Sequence, residues 1–292
     1  MVVKEYKNQF IQALSPLYDS GEIESFFYII LESFHQMKRI DLALNPNFEI
    51  DTVQILQWET VLAELKTQKP IQYILGETEF FGLPFYVNEN TLIPRPETEE
   101  LVEWILSNSQ IIKSTGQLKI LDIGTGSGCI AISLAKNSPN AEVFAIDVSR
   151  EALAIAKKNA KQNQVEVTFI EKNILEAENL EQQFDIIVSN PPYVRNLEKQ
   201  EINKNVLEYE PHLALFVEDN DALLFYRKIA TLAQKSLSKN GQLYFEINQY
   251  LGNETVELLE KLNFKNVELK KDVYGNNRMI HCVVDTSEIK NR

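Results

Sequence analysis

The chain has 292 residues, of which 44% are hydrophobic and 24% charged. That suits about two ordinary domains and excludes the disordered, collagen-like and low-complexity classes. Its 42 acidic against 29 basic residues leave a net charge of −13, a field that repels the phosphate backbone underlying most nonspecific nucleic-acid affinity and so favours a small-molecule or protein substrate.

No apolar run approaches the roughly 20 residues that a membrane helix needs, and the start, Met1-Val-Val-Lys-Glu-Tyr-Lys, has no apolar signal core. A cytoplasmic location is the expectation. Cys129 and Cys282 are too few for a disulfide framework, and His35, His212 and His281 stand at no metal-ligand spacing with them, so neither disulfides nor a metal site is expected.

In chain order, apolar residues first recur at helical spacing: Phe10, Leu14 and Leu17, then Phe26, Phe27, Ile29, Ile30 and Phe34, then Val53, Leu56, Val61, Leu62 and Leu65. This predicts three to five short helices packed as a bundle over residues 1–76, with a break at Asn45-Pro-Asn47 and Asp51 as the N-cap of a helix running toward Lys66. Residues 77–96 change to the short aromatic and β-branched runs of Glu79-Phe-Phe-Gly-Leu-Pro-Phe-Tyr-Val87, which read as a β-hairpin linker. After Pro94-Arg-Pro96, the acidic first turn of Glu97-Thr-Glu-Glu marks a helix start.

Residues 97–292 form the second predicted domain. Buried-strand runs are predicted at Lys119–Ile123, Ala141–Ile146, Val165–Ile170, Phe184–Val188, Gly241–Ile247, Asn266–Leu269 and Met279–Val284. Between and after them, helices are predicted at Ile130–Lys136, Arg150–Asn163, Ala222–Leu237 and Asn253–Leu262. Strands alternating with helices predict an α/β fold with a mostly parallel sheet covered on both faces.

The chain holds only ten glycines, yet three fall within five residues, in Gly124-Thr125-Gly126-Ser127-Gly128. The loop follows a predicted strand and opens a helix, so its glycines let the backbone turn tightly and approach a ligand. Cys129 occupies the position where the dinucleotide fingerprint requires its third glycine. Asp147 ends the next strand, 21 positions past Gly126, and a carboxylate there faces the crevice at the strand ends, suited to both hydroxyls of a ribose. Capping of the following helix is its alternative role, which Ser149 can take instead.

Gly-x-Gly-x-Gly with this acidic partner resembles the first motifs of the class I S-adenosylmethionine-dependent methyltransferases. The resemblance implies a Rossmann-like domain with a seven-stranded, mostly parallel sheet, and S-adenosylmethionine held by Gly124, Thr125, Gly126, Ser127, Gly128 and Asp147. Those enzymes usually offer an acidic residue to the adenine amino group at the end of the third strand. Asn173 stands there, with a carbonyl able to accept the same bond, and Ile174 would pack on the adenine face.

The fourth strand runs into Asn190-Pro191-Pro192-Tyr193, where consecutive prolines lack N–H groups and stiffen the turn. The tetrapeptide resembles the Asn/Asp-Pro-Pro-Tyr motif of methyltransferases that modify nitrogen conjugated to a π system. By that resemblance the Asn190 side-chain carbonyl and the Pro191 backbone carbonyl accept the two N–H bonds of the target NH₂. Tyr193 packs on its plane, Pro192 completes the substrate site, and Asn190 also faces the cofactor. An amide nitrogen is a poor nucleophile, so positioning carries most of the catalysis.

Further stretches distinguish among such enzymes: Gln72-Tyr-Ile-Leu-Gly-Glu77, Leu92-Ile-Pro-Arg-Pro-Glu-Thr-Glu99, Ser189-Asn-Pro-Pro-Tyr-Val194, Tyr209-Glu-Pro-His-Leu-Ala-Leu215, and Asp272 with Gly275 and Arg278. Together these resemble the release factor glutamine methyltransferases, also called the HemK or PrmC family. The resemblance implies a helical substrate-recognition domain joined by a hairpin to the catalytic domain. It further implies methylation at N5 of the Gly-Gly-Gln glutamine of class 1 peptide chain release factors, by a monomeric enzyme without direct nucleic-acid contact. Arg95, Glu97 and Thr98 are then expected at the rim of the cofactor pocket. The sequence departs from the family at Phe216-Val-Glu218 and at Asn248, where glycine is frequent. Two other activities remain open: a glutamine methyltransferase acting on ribosomal protein L3, and a nucleic-acid amino-group methyltransferase.

Overall fold

The computed structural model describes residues 1–108 and 117–284, so residues 109–116 and 285–292 of the second predicted domain lie outside the described residues. The chain divides into two compact units, Met1–Glu77 with Asn203–Tyr209, and Thr78–Ile202 with Glu210–Arg292.

Five helices of the first unit occupy Val3–Leu14, Ser20–His35, Arg39–Leu44, Thr52–Leu65 and Ile71–Leu75. Asp51 caps the fourth through its side chain, with Gln54 returning the bond in a capping box. The buried stripe on that helix is Trp58, Val61 and Leu65, a helical i, i+3, i+7 spacing. Trp58 lies at the centre of the unit, with the Tyr6, Phe10 and Phe27 rings 5.0–6.1 Å away. Because Trp58 takes the inward face, Val53 and Leu56 turn outward, as do Leu17 and Ile29 elsewhere in the bundle, so four of the predicted core residues are exposed. Asn203–Tyr209, which chain order alone assigns to the second domain, clusters with this unit, where the Tyr209 hydroxyl donates to the Thr67 carbonyl at 2.9 Å.

Strands β1 (Glu77–Phe80) and β2 (Leu83–Tyr86) form a two-stranded sheet. Their turn has positive φ at both Phe81 and Gly82, the geometry whose twist matches paired strands.

The second unit is built on a seven-stranded sheet of β3 (Lys119–Ile123), β4 (Glu142–Asp147), β5 (Thr168–Glu171), β6 (Phe184–Ser189), β9 (Leu237–Glu246), β10 (Phe264–Lys271) and β11 (Asn277–Val284). A separate pair, β7 (Val194–Arg195) and β8 (Phe216–Val217), lies between β6 and β9 in the chain. The sheet order is β10-β11-β9-β6-β3-β4-β5. Neighbours from β9 to β5 are parallel, and β11 is antiparallel to both β9 and β10. The mostly parallel, seven-stranded Rossmann-like sheet expected from the sequence is present, and every predicted strand and helix of this unit overlaps an observed one. Apolar clusters lie on both faces, one around Tyr226 and Phe245 and the other around Leu101, Ile132 and Tyr244. The chain runs outward from β3 to β4 and β5 and then crosses to β6. The sheet therefore switches direction between β3 and β6, and a crevice opens at their C-terminal ends.

Among the described residues, no helix is long and apolar enough to cross a membrane.

Candidate active site

A cavity of about 300 Å³ occupies that crevice, at the small end of ligand-pocket volumes. The glycine loop follows β3, Asp147 ends β4, and Asn190-Pro191-Pro192 leaves β6. Parallel pairing of Ile123 with Ile146 and with Ser189 brings these three chain ends side by side.

The loop is pinned to β4, since the Gly124 and Thr125 N–H groups both donate to the Ile146 carbonyl, at 2.8 and 3.0 Å. Gly126 N–H donates to Asp147 Oδ2 at 2.8 Å and Ser149 N–H to Oδ1 at 2.9 Å. Burial raises the Asp147 carboxyl above its ordinary range, and these backbone donors offset only part of the rise. The capping role falls to Ser149, whose hydroxyl accepts from Ala152 N–H at 3.1 Å.

Gly124, Gly126, Asp147, Asn173, Ile174, Asn190, Pro191 and Pro192 all line the cavity. Thr125, Ser127 and Gly128, which were also expected to hold the cofactor, do not. Alternate loop residues point inward: Thr125 donates to the buried Asp122 carboxylate at 2.6 Å, and Ser127 is buried. Burial pushes the Asp122 carboxyl up to about 7. Gly128 allows close packing, since a Cβ there would come within 3.2 Å of the Ala156 Cβ. The Ser127 carbonyl accepts from Asn159 Nδ2 at 2.8 Å, and the same buried amide bonds both the N–H and the carbonyl of Tyr86, tying the loop to β2.

The Asn173 side-chain carbonyl accepts from Leu175 N–H at 3.1 Å and its amide donates to Glu176, so one acceptor lone pair is committed to the local turn. Tyr193 is absent from the cavity lining. Its hydroxyl donates to Glu246 Oε1 at 3.0 Å, and burial beside that carboxylate raises its pKa far above the usual value. Arg95, Glu97 and Thr98 also stay off the lining: Arg95 pairs with the buried Glu210 at 2.5 Å, and Thr98 donates to Glu246 Oε2 at 2.6 Å.

Sequence reasoning missed the opposite wall, made by Glu89, Asn90 and Leu92 and by Pro211, Leu213, Ala214, Phe225 and Ile229. Part of it lies in the Tyr209–Leu215 stretch, which the family resemblance marked without giving it a site role. Asn248 was noted only as a departure. Its amide donates to the Tyr193 carbonyl and to Glu198 Oε2, each at 2.9 Å, and so anchors the turn.

The residues present suit S-adenosylmethionine. Added Cβ atoms would meet nothing nearer than 3.9 Å at Gly124 and nothing within 4 Å at Gly126, so no neighbour closes over the backbone there. Asp147 supplies a carboxylate and Ile146 and Ile174 an apolar wall.

A family model described as "PrmC N-terminal domain" matches residues 6–76, and one described as "Methyltransferase small domain" matches residues 105–213. A release factor glutamine methyltransferase from Flavobacterium psychrophilum is 75% identical over 96% of this chain and 98% of its own length. One from Bacteroides thetaiotaomicron is 42% identical over 92% of this chain and 95% of its own. Among solved structures, a methyltransferase from Pyrococcus furiosus shares the fold, with a TM-score of 0.50 at 19% identity over 80% of this chain and 98% of that one.

Proposed function

The chain belongs to the release factor glutamine methyltransferases, and from that premise we propose that it methylates N5 of the glutamine in the Gly-Gly-Gln motif of class 1 peptide chain release factors. It is an S-adenosylmethionine-dependent methyltransferase. The observation that carries the reading is the junction of two elements in one cavity, the loop Gly124–Gly126 with Asp147 and the turn Asn190-Pro191-Pro192.

The cofactor supplies an electrophilic methyl group on a sulfonium. Asp147 would accept from the ribose hydroxyls, and Ile174 and Asn173 would flank the adenine. The Asn190 side-chain carbonyl and the Pro191 carbonyl accept the two N–H bonds of the target amide, which turns the nitrogen lone pair toward the methyl. These fixed acceptors would also stabilise the positive charge on nitrogen as the N–CH₃ bond forms and the S–CH₃ bond breaks, leaving S-adenosylhomocysteine, with one N–H proton then released to water. Holding the reactants in line contributes on the order of 7 to 11 kcal/mol in favourable systems. Tyr193, bonded to Glu246, stiffens the turn that carries the acceptors.

Residues 1–76 recognise the protein substrate and 77–96 link them to the catalytic domain, 97–292. A net charge of −13 supports a protein rather than a nucleic-acid substrate. A translation-factor substrate supports a cytoplasmic location, and we take the enzyme as a monomer.

Purified protein with radiolabelled S-adenosylmethionine, offered separately a release factor, ribosomal protein L3 and RNA, tests the reading. Label is expected on the release factor and lost when the Gly-Gly-Gln glutamine is replaced by alanine. Label on L3 or RNA alone would overturn the assigned substrate.

A further inference from the structure

Asn190 presents a carbonyl to the target only if its amide is turned the right way, and the two ends of an amide differ only in their hydrogen bonds. The alignment of β6 with β9 pairs Ser189 with Phe245, which sets Asn190 beside Glu246. Glu246 is buried, its Oε2 accepts from the Thr98 hydroxyl at 2.6 Å, and its Oε1 accepts from the Tyr193 hydroxyl at 3.0 Å. Burial raises the Glu246 pKa, and the Thr98 hydroxyl, the Arg278 charge and the Tyr193 hydroxyl each act against that rise in favour of the carboxylate. With each Glu246 oxygen accepting from a hydroxyl, the single proton of Thr98 is committed to Oε2. Thr98 Oγ1 has only lone pairs left, and it faces Asn190 Nδ2 at 3.4 Å.

We propose that Thr98 and Glu246 are positioning residues that fix the orientation of the Asn190 amide, drawing its NH₂ inward and leaving Oδ1 as the acceptor for the substrate. The inference rests on the glutamine-amide reading of the site. The order of donors runs one way: the Asn190 NH₂ to Thr98, and Thr98 to Glu246. Through Tyr193 the same carboxylate braces the other end of the tetrapeptide. Thr98, on the helix Pro96–Ser107, thereby acts from the motif that the sequence placed at the pocket rim.

The test compares Thr98→Val, Thr98→Ser and Glu246→Gln in steady-state methylation of a release factor, with S-adenosylmethionine affinity measured by calorimetry. Thr98→Val is expected to lower kcat about tenfold while cofactor Kd changes by less than about twofold, and Glu246→Gln at least as far. Thr98→Ser, which keeps the hydroxyl, should recover most of the rate. An unchanged kcat in Thr98→Val or in Glu246→Gln, a serine variant as slow as the valine one, or an equal loss of cofactor affinity would overturn the proposal. Neutron diffraction from deuterium-exchanged crystals decides it without activity. Amide deuterons of Asn190 directed at Thr98 are expected, and a Thr98 deuteron directed at Asn190 Oδ1 would sink it. Wild-type protein that leaves release factors unmethylated would overturn the substrate reading, and the neutron result would still stand on its own.

Discussion

Substituting alanine for Gly128 separates packing from ligand contact within the glycine loop. Gly128 has φ of +83°, and a Cβ there would come within 2.8 Å of the Ile132 Cδ1 and 3.2 Å of the Ala156 Cβ. The left-handed conformation costs an L-residue roughly 1–2 kcal/mol. The Ile132 methyl can swing aside, but the Ala156 Cβ is fixed to its helix backbone, which adds roughly 1–2 kcal/mol of overpacking. Gly128→Ala should therefore destabilise its unit by about 3 kcal/mol. Gly126 has φ of +56° and no heavy atom within 4 Å of an added Cβ, so Gly126→Ala incurs the backbone cost alone, roughly 1–2 kcal/mol. Gly126 lines the cavity and Gly128 does not, so cofactor affinity should fall further in Gly126→Ala. Urea unfolding followed by circular dichroism, with calorimetric cofactor titration of the folded proteins, reads both quantities. Equal destabilisation by the two substitutions, or the greater loss of cofactor affinity in Gly128→Ala, would refute the reasoning.

Asn190→Ala should abolish nearly all methyl transfer while retaining much of the cofactor affinity, and a turnover equal to wild type would remove Asn190 from the chemistry. Asp147 accepts two backbone N–H groups and faces the cavity, so Asp147→Ala should weaken cofactor binding about thirtyfold, for a loss of about 2 kcal/mol; an unaltered affinity in titration would take it out of the ribose site. His281 is buried beside the Trp104 and Tyr244 rings, its Nε2 has no hydrogen-bond partner, and burial lowers its pKa from 6.5 to about 4. The folded state then keeps it neutral where the unfolded state takes up a proton. This stability is complete above pH 6.5 and lost as pH falls toward 4, by up to about 3 kcal/mol. His281→Phe should lose less stability than wild type between pH 7 and pH 4.5, and an identical slope in urea midpoints would count against that assignment.

What the sequence discloses and what it withholds divide along contact range. Asp147, the glycine loop and Asn190-Pro191-Pro192 were legible because each is a short run whose chemistry depends on residue types at fixed local spacing, at the end of a strand that its apolar pattern reveals. Thr125, Ser127 and Gly128 share that run, yet they do not line the cavity, and a motif read letter by letter does not show which letters reach it. Thr98 and Glu246 lie 148 positions apart and Arg95 and Glu210 115 apart, separations at which no periodicity relates two residues. The exposed Val53 and Leu56 show the same limit within the helical unit: apolar spacing proposes a stripe, and the large ring of Trp58 decides which stripe turns inward. A buried carboxylate such as Glu246 gives the clearest case. In the sequence it is one acidic residue among 42, and only the fold surrounds it with Thr98, Tyr193 and Arg278. Burying such a charge is costly unless its bonds are satisfied. A carboxyl held there by the Thr98 and Tyr193 hydroxyls is accordingly read through what it orients.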